Sequence, residues 1–189
     1  MNPVSIHPNL FKAAAAGNAE PFKKDIRRDE IESLLTAQTK NTILHINITS
    51  RKRKNVSTKF IEEILEICPS LLLKVNAKGD TPLQVAAKFG HSDIAAFQKL
   101  LEKKEGLIQK TDYYGWTPIH YAAYHDQYQQ IRVLLEIDQT ASNIADKDRK
   151  MTALHLAAGQ GHARTVETIL SLSPECYELV DNRGWNFKT

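Results

Sequence analysis

Three stretches of this chain repeat one another: GDTPLQVAAKFGHSDI from Gly79, GWTPIHYAAYHDQYQQI from Gly115 and KMTALHLAAGQGHARTV from Lys150. They align without gaps over their first dozen residues, and Thr81, Thr117 and Thr152 recur at a spacing of about 35 residues, the range of a helix-turn-helix repeat. Such a period constrains the fold more than any single motif does. Each copy is too small to bury its own apolar face and must bury it on its neighbours. Two weaker copies precede the three: NTILHINIT puts Thr42, Leu44 and His45 in register, and PNLFKAAAAGN does the same with Leu10, Ala13, Ala14 and Gly17.

Each copy has a local physical reading. The threonine hydroxyl caps a first helix, and Pro82 and Pro118 follow at the first helical position, where a missing N–H costs nothing. The pairs Ala86-Ala87, Ala122-Ala123 and Ala157-Ala158 let helices approach closely. Gly90 and Gly161 suit the left-handed backbone that ends the first helix. Apolar residues at helical spacing then mark a second helix: Phe60, Ile61, Ile64, Leu65; Ile94, Phe97, Leu100, Leu101; Ile131, Leu134, Leu135; Val166, Ile169, Leu170.

These strings resemble ankyrin repeats, whose TPLHxAAxxGH hallmark is nearly complete from Thr81 to His91 and, with Ala153 for proline, from Thr152 to His162. The resemblance implies an all-α ankyrin solenoid of stacked helix-turn-helix units joined by short hairpin-like loops. It also implies a protein-interaction role without catalysis. The expected organisation is a divergent first repeat at 1–40, a second with a basic insertion at 41–75, and further repeats at 76–111, 112–146 and 147–181, followed by the start of a sixth at 182–189. The strings LFKAAAAGNAEPFK, STKFIEEILEICPSLLLKVNAKGDTPL and ELVDNRGWN further resemble the plant ankyrin-transmembrane proteins of the Accelerated Cell Death Six type. That likeness implies the cytosolic ankyrin part, or a truncated relative, of a membrane protein in defence signalling, with a full-length family member as one candidate protein partner.

Two departures from the repeat matter. SRKRKNVS interrupts the second copy, and Asn186-Phe187-Lys188 stands where Thr-Pro-Leu would open the sixth. If the array stops there, Leu154, Leu156, Val166 and Ile169 are expected to line an apolar face without a polar cap.

Composition narrows the function classes. With 25 Lys and Arg against 22 Asp and Glu, the chain lacks the charge excess of a nucleic-acid binder. Cys68 and Cys176 lie in unrelated contexts and form neither a disulfide framework nor a metal-ligand spacing, so they read as reduced thiols of a cytoplasmic protein. No apolar run approaches the roughly 20 residues that cross a bilayer, and the triplets at Asn47 and Asn55 read as chance glycosylation matches. His45, His120 and His155 share the fourth position of the repeated tetrad, which argues for a shared structural role rather than a metal or catalytic site; neither an enzymatic motif nor a cofactor loop is present. GQGHAR at Gly159 lacks the third glycine of a dinucleotide loop.

In ankyrin proteins the hairpin tips and the ends of the first helices face partners. Carried onto this sequence, that selects Lys78, Asp80, Lys88 and Phe89; then Tyr113, Tyr114, Trp116, Tyr124 and His125; then Arg149, Met151 and Gln160, where Lys150 replaces the expected hairpin glycine. The middle set is aromatic, as interface hot spots are, although Trp116 and one tyrosine could equally brace adjacent hairpins. The run Arg51-Lys52-Arg53-Lys54 reads as a solvated loop, as a nuclear-import signal of a regulatory adaptor, or as a contact for anionic surfaces.

Overall fold

The computed structural model describes residues 4–24, 26–50, 58–89, 94–102 and 106–188. It is all-α apart from a two-residue parallel pairing of β1 (Val4–Ser5) with β2 (Leu34–Leu35). Eleven helices are described: α1 (Pro8–Ala16), α2 (Glu20–Lys24), α3 (Arg28–Ser33), α4 (Ile43–Ser50), α5 (Thr58–Ile67), α6 (Pro82–Phe89), α7 (Ile94–Glu102), α8 (Pro118–Tyr124), α9 (Tyr128–Ile137), α10 (Ala153–Gly159) and α11 (Ala163–Leu172). The chain forms two compact units, Met1–Ala86 with His91–Glu105 and Ala87–Gly90 with Gly106–Thr189.

In the first unit α1 packs on α4 and α5 on α7. Phe22 of α2 meets Phe60 of α5 edge-on, with ring centroids 6.2 Å apart, above a core that includes Ile31, Ile43, Ile61 and Leu71. In the second unit α8 packs on α10 and α9 on α11, so two equivalent helix pairs stack. The fully buried Ala122, Ala123 and Ala157 give α8 and α10 their close approach, and Ile131, Leu134, Leu154 and Ile169 fill the space behind. Each such aliphatic side chain withdrawn from water contributes about 1.5–3 kcal/mol before chain entropy is subtracted.

The helix ends follow the sequence rules. Thr117 and Thr152 form capping boxes in which the threonine side chain accepts the N–H three residues on, and the histidine at that place accepts the threonine N–H in return. Gly17 and Gly161 take left-handed backbone, φ 71° and 74°. The fourth copy has no glycine there; Asp126 adopts φ 59° instead, and Thr165 donates to its carboxylate at 2.8 Å. Gly90 and His91 lie outside the described residues.

The tetrad histidines tie one repeat to the next. The Nδ1 atoms of His45, His120 and His155 accept the backbone N–H of Thr42, Thr117 and Thr152 at 3.2 Å. That fixes the neutral tautomer with hydrogen on Nε2, which donates to the Asp80 carbonyl at 3.0 Å, the Met151 carbonyl at 3.2 Å and the Trp185 carbonyl at 3.0 Å, respectively. Gln84 holds the same place in the third copy, and its Oε1 accepts the Thr81 N–H at 2.7 Å.

One expectation is overturned. Leu154, Leu156 and Ile169 do not line an open apolar face: they are buried within the second unit, and Val166 is half-buried. The large apolar side chains left exposed after α11 are Tyr177, Val180 and Trp185. Cys68 and Cys176 are unpaired and buried.

Burial pushes the imidazoles of His45 and His120 down to about 4 from an ordinary 6.5, against the favourable carbonyl contacts. Between pH 6.5 and 4 the unfolded chain therefore takes up protons that the folded chain refuses. The stability these groups contribute is complete above pH 6.5 and falls as pH drops through that window. Replacing His120→Gln, on the pattern of Gln84, keeps both hydrogen-bonding roles without a titrating group. The variant is expected to show a shallower loss of melting temperature from pH 6.5 to 4 than the unmodified chain; parallel slopes would refute the assignment.

Candidate partner-binding site

An acidic or amide side chain opens each of the hairpins at Asn76, Asp112, Asp146 and Asp181 and holds it in shape. Asn76 Oδ1 accepts the N–H groups of Lys78 and Asp80 at 2.9 and 3.1 Å, and Asp112 Oδ1 accepts those of Tyr114 and Trp116 at 2.9 and 2.8 Å. Asp181 Oδ1 does the same for Arg183 and Trp185 at 2.8 and 3.0 Å. Burial opposes the charge on Asp181, but the Trp185 N–H and the Arg183 guanidinium outweigh it and bring the carboxyl down to about 2. The fifth hairpin is one residue longer: Asp146 Oδ1 reaches Arg149 and Met151, and Lys150 takes the left-handed position at φ 58°. Backbone bonds from Lys147 N–H to the Tyr114 carbonyl, 3.2 Å, and from Asn182 N–H to the Arg149 carbonyl, 2.9 Å, set successive hairpins side by side.

This stacking builds a groove of about 550 Å³ in the second unit. Six of the residues selected from sequence line it: Tyr114, Trp116, Tyr124, Arg149, Met151 and Gln160. The Trp116 ring is half-buried and packs against Tyr121, Tyr124 and His120, with centroids 5.0, 5.5 and 6.2 Å away. It braces the wall. The Tyr113 and Tyr114 side chains by contrast project into solvent, 68% and 67% exposed.

Other selected residues fall elsewhere. Lys88 lays its ammonium 4.9 Å above the Tyr121 ring, and Phe89 is half exposed at the end of α6. His125 is half-buried, its ring 5.1 Å from that of Tyr124, and burial with the nearby Lys88 and His162 charges holds its imidazole below the usual range. Lys78 is exposed at its own hairpin tip in the first unit. Asp80 does not face outward: it is 2% exposed, with Asn76 Nδ2 against its carboxylate and His45 on its carbonyl. Arg51, Lys52, Arg53 and Lys54 lie outside the described residues.

Sequence reasoning missed Tyr121, Asp146, Asp148 and Leu156, which also line the groove. The available signal was the aromatic residue after His120, where the other copies carry Ile46, Val85 and Leu156. Among the described residues no group of three or more His, Cys, Asp or Glu converges to hold a metal, and no helix is long and apolar enough to cross a membrane.

Comparison with known proteins agrees with the architecture. A family model for ankyrin repeats in three copies matches residues 54–143, and one for a single ankyrin repeat matches 149–176, together more than half of the chain. The chain is 36% identical over 95 residues to ankyrin repeat and SOCS box protein 3 of Bos taurus, covering 50% of this chain and 18% of that protein. It is 34% identical over 112 residues to transient receptor potential cation channel subfamily A member 1 of Homo sapiens, covering 59% and 9%. Identity to ankyrin repeat-containing protein ITN1 of Arabidopsis thaliana is 33% over 84 residues, covering 44% and 14%. The matched part of the chain thus spans less than a fifth of the length of each of these relatives.

The hairpin that presents Tyr114 depends on Gly115, which has φ 84° and whose missing Cβ would stand 2.7 Å from the Lys147 backbone nitrogen. Gly115→Ala is expected to lower unfolding free energy by about 1–3 kcal/mol in urea titrations. The helical Gly159, with nothing within 4 Å, is the control: Gly159→Ala should be neutral or stabilising by up to about 1 kcal/mol.

Proposed function

This chain belongs to the ankyrin-repeat family, a non-catalytic protein-interaction module, and we propose that its partner seats on the aromatic groove of the second unit. One observation supports this reading above the others. Residues from two successive hairpins and from α8 and α10 converge on one concavity, and the exposed Tyr114 ring stands at its edge. Large, stiff aromatic side chains gain much contact area for little lost rotamer freedom, which is why they dominate interface energetics. The wall is rigid because Trp116, Tyr121 and Tyr124 pack on one another, and the hairpin tips are held by Asp112 and Asp146. A partner therefore meets a preorganised surface, and little ordering cost opposes binding.

The finer context is also part of this reading. The resemblance of LFKAAAAGNAEPFK and ELVDNRGWN to plant ankyrin-transmembrane proteins supports a cytosolic module in defence signalling, and a plant protein stands among the relatives.

Selection of peptides from a random-sequence display library on the intact chain tests the groove. Peptides that survive selection should bind Tyr114→Ala at least about tenfold more weakly, with the unfolding midpoint unchanged. Tyr177→Ala, at an exposed tyrosine on the turn after α11, should bind as the unmodified chain does. Selected peptides that bind Tyr114→Ala undiminished would overturn the reading.

A further inference from the structure

The hairpin acids of the second unit use their first carboxylate oxygen alike and differ in what meets the second. Asp112 Oδ2 accepts the Tyr121 hydroxyl at 2.5 Å. Asp181 Oδ2 accepts the Arg183 guanidinium at 2.7 and 2.9 Å. Asp146 spends Oδ1 on the Arg149 and Met151 amides, at 2.8 and 3.3 Å, and its Oδ2 has no hydrogen-bond partner among the described residues. The cause is a single position in the repeat. Tyr121 follows the tetrad His120, but Leu156 follows His155, so the hydroxyl that would satisfy Asp146 is missing.

Asp146 is 4% exposed and lines the groove. Its Oδ2 is not sealed off, because the one buried side-chain atom without a partner among the described residues is Asn47 Oδ1. A carboxylate oxygen so far removed from bulk water, yet open to a cavity, calls for a donor, and a charged donor most of all. The surroundings suit a cation. Asp148 adds a second carboxylate to the lining, exposed to solvent, and the rings of Tyr114, Trp116 and Tyr124 offer faces for an aliphatic stem. The fold already places one ammonium, that of Lys88, over a ring of this cluster.

Resting on the groove reading above, we propose that the partner inserts a lysine or arginine side chain there. Its charged head meets Asp146 Oδ2 and Asp148, and its methylene stem lies along the tyrosine and tryptophan walls. Arg149 lines the same groove, is exposed, and makes no ion pair with a carboxylate among the described residues. It is the internal competitor for this position, so its removal favours the incoming cation.

The test uses blocked alanine pentapeptides carrying lysine, arginine, norleucine or glutamate at the centre, titrated into the isotope-labelled intact chain. The amide signals of Tyr114, Met151 and Gln160 and the Trp116 indole signal report binding. Lysine and arginine peptides should bind at least about tenfold more tightly than norleucine. Asp146→Asn should erase that preference while leaving the hairpin intact, since Asn76 holds its own hairpin through the same oxygen. Leu156→Tyr, which supplies the hydroxyl that Tyr121 gives Asp112, should erase it too, and Arg149→Ala should strengthen binding. Equal binding of lysine and norleucine, no shift with any peptide, or a preference that survives Asp146→Asn in a folded variant would overturn the proposal. Library peptides that depend on Tyr114 but show no basic preference would refute the cation alone; peptides indifferent to Tyr114 would refute the groove.

Discussion

The tetrad imidazole is the interaction on which the stacked hairpins depend. Its ring accepts the N–H of the threonine that begins its own helix and donates to a carbonyl of the following hairpin, so one side chain fixes both a helix start and the register of the next unit. Only the neutral ring can do both, because a protonated imidazole has no acceptor. Burial enforces that state, and Gln84 shows that the geometry, rather than imidazole chemistry, is what the position requires. Histidines that look like candidates for catalysis are thereby consumed by the scaffold.

The groove is a product of that register. Because His120 anchors the Met151 carbonyl, the fifth hairpin lies against the fourth, and the Lys147 to Tyr114 backbone bond brings Arg149 and Met151 opposite the aromatic wall. The fifth hairpin takes up its extra residue, with Lys150 in left-handed backbone, without breaking the stack. Variation in a loop held on a rigid framework is how one architecture serves different partners.

Asp146 shows how such variation creates chemistry. The repeat carries an acid at the head of the hairpin for structural reasons, and the side chain after the tetrad histidine decides whether its second oxygen is satisfied internally. Exchange of a tyrosine for a leucine between adjacent copies turns a closed polar contact into an open one. An unsatisfied, nearly buried acceptor is costly in isolation, and a surface that carries one gains most from a partner that supplies the donor.

The sequence alone determined the all-α repeat fold, the capping threonines, the small residues between helices and the structural role of the tetrad histidines. Each is a local or periodic property, and hydrogen-bond valence, side-chain size and helical spacing are written residue by residue. The resemblance to ankyrin repeats, carried onto the hairpin tips and first-helix ends that the period locates, also picked out six residues that line the groove. The tertiary structure decided what period cannot: that Asp80 turns inward, that Leu154, Leu156 and Ile169 are covered, that Trp116 serves as a brace while Tyr114 stays exposed, and that Asp146 Oδ2 has no hydrogen-bond partner among the described residues. Those outcomes depend on which neighbour fills each space. A residue's partner across a stack lies some 35 positions away, so its identity emerges only when two hairpins are set side by side.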